Sequence, residues 1–290
     1  MKITNRHGLP ETFVNILKRP RYDNGGADRS VTQLINSPKI VALNNVHRDD
    51  VEEDVSDRVF SIFGSAIHSI LEHGKDDLHV VEERLHMDID GWHLSGAVDL
   101  QITNPDSSIS IRDYKVTSAW SVMNAKVDWA NQLNVLAHLV ESVKSAPVRD
   151  LGIVAIIRDW SRRDAANREG YPQSPVCEVS IPLWDAERRD KYIRDRIAAH
   201  SATEFAMSAG EELPECTPEE MWEKPTVYAV RKVGGVRAKS LHQTEAAANE
   251  ALASLGKGFE IEVRPGERTR CAHFCSVNGH CSQWQNFNKE

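Results

Sequence analysis

The chain has 290 residues, 35 basic against 43 acidic, for a net charge of −8. With 40% hydrophobic and 27% charged residues, it is long enough and apolar enough for one large domain or a core plus a small module, which excludes a fibre, a short scaffold and a disordered chain. The acidic balance argues against a general nucleic-acid coat protein but leaves room for a local basic groove.

Residues 1–58 are polar and read as mixed helix and loop, with a turn at Asn24-Gly25-Gly26 and a helix start at Ser30 or Thr32. The start Met1-Lys2-Ile3-Thr4-Asn5-Arg6-His7 lacks the apolar stretch of a secretory signal, so a reducing cytoplasm is the expected compartment and the five cysteines are expected as thiols or ligands. Phe60, Phe63, Ile67 and Leu71 recur at helical spacing and predict a helix over about 57–73. Val80 to Leu85, Trp92 to Ile102 and Ile109 to Val116 predict an antiparallel meander, broken at Asp90-Gly91 and Asn104-Pro105-Asp106-Ser107. Trp129, Leu133, Leu136 and Val140 mark a second helix, Leu151 to Ile157 a buried strand and Val176 to Leu183 another. The longest apolar run, Ile153 to Ile157 with Leu151 before it, falls far short of the ~20 residues of a membrane-spanning helix. Asp185 caps a long helix reaching about Ser208, whose Arg188, Arg189, Lys191, Arg194 and Arg196 read as a solvated face. Beyond Pro214, Thr226 to Val230, Val236 to Leu241, Thr244 to Leu255 and Phe259 to Val263 read as a small inserted ββαβ unit.

The strongest chemistry lies in Gly96-Ala-Val-Asp99 and Asp113-Tyr114-Lys115. Asp113 and Lys115, two apart on a strand, leave the same face. A turn centred on Asp106 puts Asp99 directly opposite Asp113, where two like charges ~5 Å apart destabilise a sheet. Lys115 offsets this in part, and Mg²⁺, which prefers hard oxygen ligands, offsets it better. Two solvated acids on an exposed face are the competing reading of the spacing. Gly96 reads as a point of close approach by another backbone. His68, four residues from Glu72 on one helix face, reads by itself as an ordinary partly buried histidine.

Cys271-x3-Cys275-x5-Cys281 is a tight cluster, with Cys216 the expected fourth ligand and Cys177 a small buried residue in a strand. Four thiolates suit a structural zinc or a [4Fe–4S] cluster, and His273 and His280 make zinc possible even without Cys216. Arg231, Lys232, Arg237 and Lys239 give the ββαβ unit a local basic excess. They are read either as a phosphate-gripping arm or as a solvated edge that discourages strand pairing.

Gly64-Ser-Ala-Ile-His68, Val81-Glu82-Glu83-Arg84, Leu94-Ser-Gly-Ala-Val-Asp99, Asp113-Tyr-Lys115 and Gln132 in this order, with the cysteine tail, resemble the RecB-like branch of the PD-(D/E)xK nucleases. Phage-encoded members with a cysteine-rich tail are the nearest in kind. The resemblance implies an α/β core with a mixed central sheet flanked by helices over 1–214, the ββαβ insert at 225–265, and a cysteine cluster of 216 and 271–281 closing the C-terminus. It implies a Mg²⁺- or Mn²⁺-dependent deoxyribonuclease, most simply an exonuclease acting on DNA ends or single strands in phage replication or recombination. A restriction-type endonuclease and a non-catalytic DNA-binding accessory are the alternatives. Carried over, Asp99, Asp113, His68 and the Tyr114 carbonyl bind the metal, Lys115 orients water or stabilises phosphoryl charge, and Glu82, preferred over Glu83, is the accessory carboxylate. Gln132 supports the site, although Leu136 stands where that helix motif usually has tyrosine. The cysteines are implied to hold an iron–sulfur cluster, with Cys216 following the nuclease core where the family's first cysteine commonly precedes it.

Overall fold

A computed structural model describes residues 2–17, 24–124 and 126–288; Met1 and residues 18–23 of the polar N-terminal stretch lie outside them. In that stretch β1 (Lys2–Thr4) precedes α1 (Glu11–Leu17), β2 (Arg29–Ser30), α2 (Val31–Ile35), α3 (Pro38–Val46) and β3 (Glu52–Asp54). Three short strands there escaped the sequence reading: β1 pairs in parallel with β3, and β2 joins the main sheet. Ser30 does start α2, through a capping box in which its hydroxyl accepts from Gln33 N and Gln33 Oε1 accepts from Ser30 N. Pro38 sits in the first turn of α3, where a missing N–H costs nothing.

Next come α4 (Val59–Leu71), β4 (His79–Ile89), β5 (Trp92–Thr103), β6 (Ile109–Thr117), α5 (Ala119–Met123), α6 (Val127–Lys144), β7 (Val148–Ile157), α7 (Arg162–Asn167), β8 (Val176–Ile181) and α8 (Ala186–Ala209). The strands form a six-stranded mixed sheet in which β4, β5 and β6 are antiparallel neighbours, β7 lies parallel to β6, and β8 closes the edge antiparallel to β7. The parallel step is possible because α5 and α6 fill the crossover. Helix α6 lays Leu133, Leu136, Leu139 and Val140 on the sheet against Leu94, Val98, Ile111 and Ile153 in one continuous core; each such side chain contributes about 1.5–3 kcal/mol by leaving water.

The basic residues of α8 are not a uniform solvated face. Arg189 is only 4% exposed and pairs with Glu141. Arg196 reaches the carbonyls of Leu34 and Asn36 and the Glu220 carboxylate. These two guanidiniums satisfy backbone acceptors and acids of neighbouring elements, while Lys191 and Arg194 stay outside on Asp195 and Asp190.

The remainder contains α9 (Pro218–Met221), β9 (Glu223–Lys224), β10 (Val227–Lys232), β11 (Ala238–His242), α10 (Glu245–Leu255), β12 (Phe259–Arg264), β13 (Glu267–Arg268), α11 (Thr269–His273) and α12 (Ser282–Phe287). Strands β10 to β12 make a three-stranded antiparallel sheet in the order β11-β10-β12, with Ala229, Val230 and Ala248 of α10 fully buried. The pairing of β9 with β13 clasps the two ends of this unit together, so it loops out of the chain without interrupting what lies on either side.

Candidate active site

The main sheet forks. The β5–β6 ladder runs from Thr103↔Ile109 to Leu100↔Arg112 and stops. Further along the same edge of β5, Leu94 and Ser95 pair with β2 instead. Between the two partners a cleft of about 840 Å³ opens, lined by Ser30, Gln33, His68, Glu82, Arg84, Gly96, Asp99, Asp113, Lys115 and Gln132 among others.

Where the ladder ends, Asp99 takes over: its Oδ2 accepts the Tyr114 N–H at 2.8 Å, the bond the next strand residue would otherwise make. The expected opposition of Asp99 and Asp113 thus holds as a register that is completed by a side chain. On the other edge, the β4–β5 ladder pairs Val81↔Leu100 and Glu83↔Val98 but skips Glu82 opposite Asp99. Glu82 has φ of 50°, a left-handed conformation that a non-glycine residue holds only when its surroundings over-determine it. Glu82, Asp99 and Asp113 therefore stand in one row across three strands. The two glutamates face different partners: Glu82 Oε1 meets His68 Nδ1 at 3.0 Å, whereas Glu83 accepts from Gln101 at 2.6 Å and pairs with Lys144.

His68 projects from α4 into the row. Its Nε2 lies 3.2 Å from the Tyr114 carbonyl, and its Nδ1 lies 3.6 Å from Asp99 as well as against Glu82. All three partners accept, so the ring satisfies them as an imidazolium, and the bond to Glu82 raises its pKa above the ordinary value. The other end of the row is held by Lys115, whose Nζ is 2.7 Å from Asp113 Oδ2, and by Gln132, which donates to Asp113 Oδ1 at 3.0 Å. Asp113 is 1% exposed and Asp99 8%. Burial, then the neighbouring Asp113, pushes the Asp99 carboxyl up to about 7.

This donor set fits a hard divalent cation. The ligand atoms of His68, Glu82 and Asp99 lie within 4.8 Å of one another, and the Tyr114 carbonyl points at the same ring. Carboxylates sharing a buried site repel until a cation joins them, and oxygen-rich sets of this kind suit Mg²⁺ or Mn²⁺.

Two sequence expectations change at the cleft floor. Gly96 is a point of close approach, but to side chains rather than a backbone: a Cβ there would lie 2.6 Å from Leu136 Cδ2 and 2.9 Å from Val31 Cγ2. Leu136 is accordingly a core residue under Gly96, which explains why an apolar side chain stands there. Arg84 was given no role; it lines the same cleft as Glu82, and its Nη1 donates to Ser95 Oγ at 3.0 Å.

The four clustered cysteines, Cys216, Cys271, Cys275 and Cys281, line one small cavity with Ile40, Leu43, Met221, Val277 and the nearly buried Lys39. Cys216 is fixed on both sides of its peptide by Gln283, which accepts from its N–H and donates to its carbonyl. Burial and the neighbouring thiols push Cys271 up to about 11. Neither histidine named as a zinc alternative takes part: His273 contacts Glu267 and His280 stacks on His47. Cys177 is half-buried in β8, packed against the main core.

Of the four basic residues in the ββαβ unit, Arg231 is committed to its own sheet, paired with Glu260 and Glu262 and donating to the Gly235 carbonyl. It is removed from the phosphate-binding set because β12 brings those two acids beside it. Lys232, Arg237 and Lys239 are exposed, Lys239 with its ammonium 5.2 Å from the centre of the Phe259 ring.

A forked mixed sheet flanked by helices, with buried acids and a lysine at the fork, defines the architecture of a metal-dependent nuclease core. The chain belongs to the PD-(D/E)XK nuclease superfamily, whose family model matches residues 62–282. Members of this superfamily typically use Mg²⁺ or Mn²⁺, and membership implies a DNA substrate. Among solved structures the chain is similar to one titled "Crystal structure of SSO0001", with 17% identity and a TM-score of 0.42 over 65% of this chain and 82% of that one. No curated protein matches it. Among the described residues, no helix is long and apolar enough to cross a membrane.

Proposed function

We propose that this protein is a RecB-like, metal-dependent deoxyribonuclease that hydrolyses phosphodiester bonds at DNA ends or in single strands, as an exonuclease serving phage replication or recombination in the cytoplasm of an infected cell. The observation that carries the hydrolytic reading is the row of Glu82, Asp99 and Asp113 across three strands, closed by His68 at one end and Lys115 at the other. The exonuclease and phage assignments rest on the resemblance of the ordered motifs.

In this reading Glu82, Asp99, Asp113 and His68, with the Tyr114 carbonyl, hold one or more divalent ions. Such an ion polarises the phosphoryl group and acidifies water. Lys115 keeps a positive charge beside Asp113, where a phosphate oxygen gains charge in the transition state. Gln132 is a positioning residue that fixes the Asp113 carboxylate by donating to Oδ1. The main-chain N–H of Tyr114 holds Asp99 in the row.

Four thiols around one cavity suit a [4Fe–4S] cluster or a structural zinc; the cluster is preferred on the resemblance of the cysteine tail. Lys39 supplies a buried positive charge at the cavity wall. The cluster's role is structural, since it joins α3 near the start of the chain to the tail after β13.

The test is cleavage of end-labelled linear single and double strands, and of circular DNA, in Mg²⁺, Mn²⁺ or EDTA. Metal-dependent loss of linear but not circular substrate is expected, and Asp113→Ala and Lys115→Ala abolish it. Normal cleavage by Asp113→Ala refutes the site; cleavage of circles replaces the exonuclease with an endonuclease. Anaerobic protein should carry iron and sulfide; stoichiometric zinc without iron refutes the cluster.

A further inference from the structure

Helix α4 carries His68 on one face, yet none of its residues is buried. Phe60, Phe63, Ile67 and Ile70 form a stripe on the face next to the His68 row, with Phe60 55% and Phe63 49% exposed. Their spacing is that of a core-facing helix, and among the described residues the stripe is left largely open to solvent. The two phenyl rings meet edge to face at 6.4 Å, and the Arg158 guanidinium lies 4.2 Å from the centre of the Phe60 ring.

The patch continues from the catalytic cleft. Phe60 is eight residues before His68, ~12 Å along the helix. On the sheet side, Arg158 follows the last residue of β7, and its N–H donates to Thr117 O at 2.9 Å, three residues beyond Tyr114. The next residue, Asp159, accepts the Ala119 N–H, so exposed Trp120 on α5 lies at the same end of the sheet. Arg162 and Arg163 of α7 follow on this loop. Among the described residues, none of these three arginines has an acidic partner. Exposed aromatic faces interleaved with guanidiniums that have no acidic partner among the described residues, leading away from a phosphodiester-cleaving site, match one ligand: a polyanion with flat apolar rings.

We propose that Phe60 and Phe63, with Arg158, form a stacking platform for unpaired bases beside the scissile phosphate, and that Trp120, Arg162 and Arg163 extend it. The platform makes the enzyme select single strands or frayed ends, because the bases of an intact duplex stack on each other and leave no face for the protein. This inference rests on the nuclease reading and names the form of DNA that site takes.

The experiment compares wild-type protein with Phe60→Ala/Phe63→Ala in Ca²⁺, measuring affinity for an unstructured oligodeoxynucleotide and for a blunt hairpin duplex. Base–aromatic stacking of ordinary strength predicts about tenfold or greater weakening on the single strand, with the hairpin changed less than about twofold. Phe60→Tyr/Phe63→Tyr retains wild-type affinity. Equal weakening on both substrates, or no change, overturns the proposal. So does a wild-type dimer that becomes monomeric in the alanine variant, which makes the stripe a contact between copies of this chain. The two readings separate cleanly: if the alanine variant still cleaves at saturating DNA and its selectivity is unchanged, the platform alone is refuted; if wild-type protein neither binds nor cleaves DNA, both are.

Discussion

Replacing Asp99 with asparagine removes one charge from a row of three acids while leaving an oxygen to accept the Tyr114 N–H. Burial and Asp113 raise the Asp99 carboxyl from 3.8 to about 7. The folded chain therefore binds this proton more tightly than the unfolded chain does, and metal-free wild-type protein loses stability as pH rises from about 4 to about 7. At 1.36 kcal/mol per unit the full penalty is about 4 kcal/mol; asparagine must still place its amide beside His68, so a net gain of about 1–3 kcal/mol at pH 8 in EDTA is expected. That corresponds to a melting midpoint higher by roughly 2–6 °C for a protein of this size. In Mg²⁺ the gap closes or reverses, because the wild type gains about 2.7 kcal/mol when the ion stands at a hundred times its dissociation constant, and the variant gains little. The assay is thermal or urea unfolding of both proteins at pH 4, 6 and 8, with EDTA or Mg²⁺. A variant less stable than wild type in EDTA at pH 8, or one with the full Mg²⁺ gain, refutes the electrostatic argument.

Gly96→Ala drives a methyl group into Leu136 and Val31 and should cost about 1–3 kcal/mol by overpacking; Leu136→Ala in the same chain should cost less than the separate changes imply, as read by a double-mutant cycle of urea midpoints. His200 is buried, its Nε2 donates to the Leu34 carbonyl at 3.0 Å, and desolvation pushes its pKa down to about 4. The unfolded chain takes up that proton first, so stability present above pH 6.5 falls by up to about 3 kcal/mol as pH drops to 4; His200→Gln should flatten this part of the pH profile. Arg237→Ala/Lys239→Ala should lower DNA affinity several-fold in Ca²⁺ and reduce the salt slope by about 1–2, with the rate at saturating DNA little changed; an unchanged slope assigns both residues to a solvated edge.

The meander, the long capped α8 and the ββαβ unit were legible in the chain because each is specified locally, by alternation, by a capping aspartate or by turn residues at short range. The turn at Asp106 even set the β5–β6 register, since a hairpin loop fixes its strands' pairing. The row of acids was half legible: two members lie on one hairpin, whereas the different partners of Glu82 and Glu83 depend on the left-handed twist that breaks alternation on β4. Arg189 and Arg196 looked like a solvated face because their partners, Glu141, Leu34 and Asn36, come from distant segments. The same holds for Arg231, neutralised by a strand about thirty residues away. Sequence determined which of the longer segments from Val59 on are helical or extended and which chemistry they carry. Only tertiary structure decided which charges are spent on neighbours, which apolar stripe stays open to solvent, and where β6 parts from β5 to make the cleft, because each depends on contacts between segments far apart in the chain.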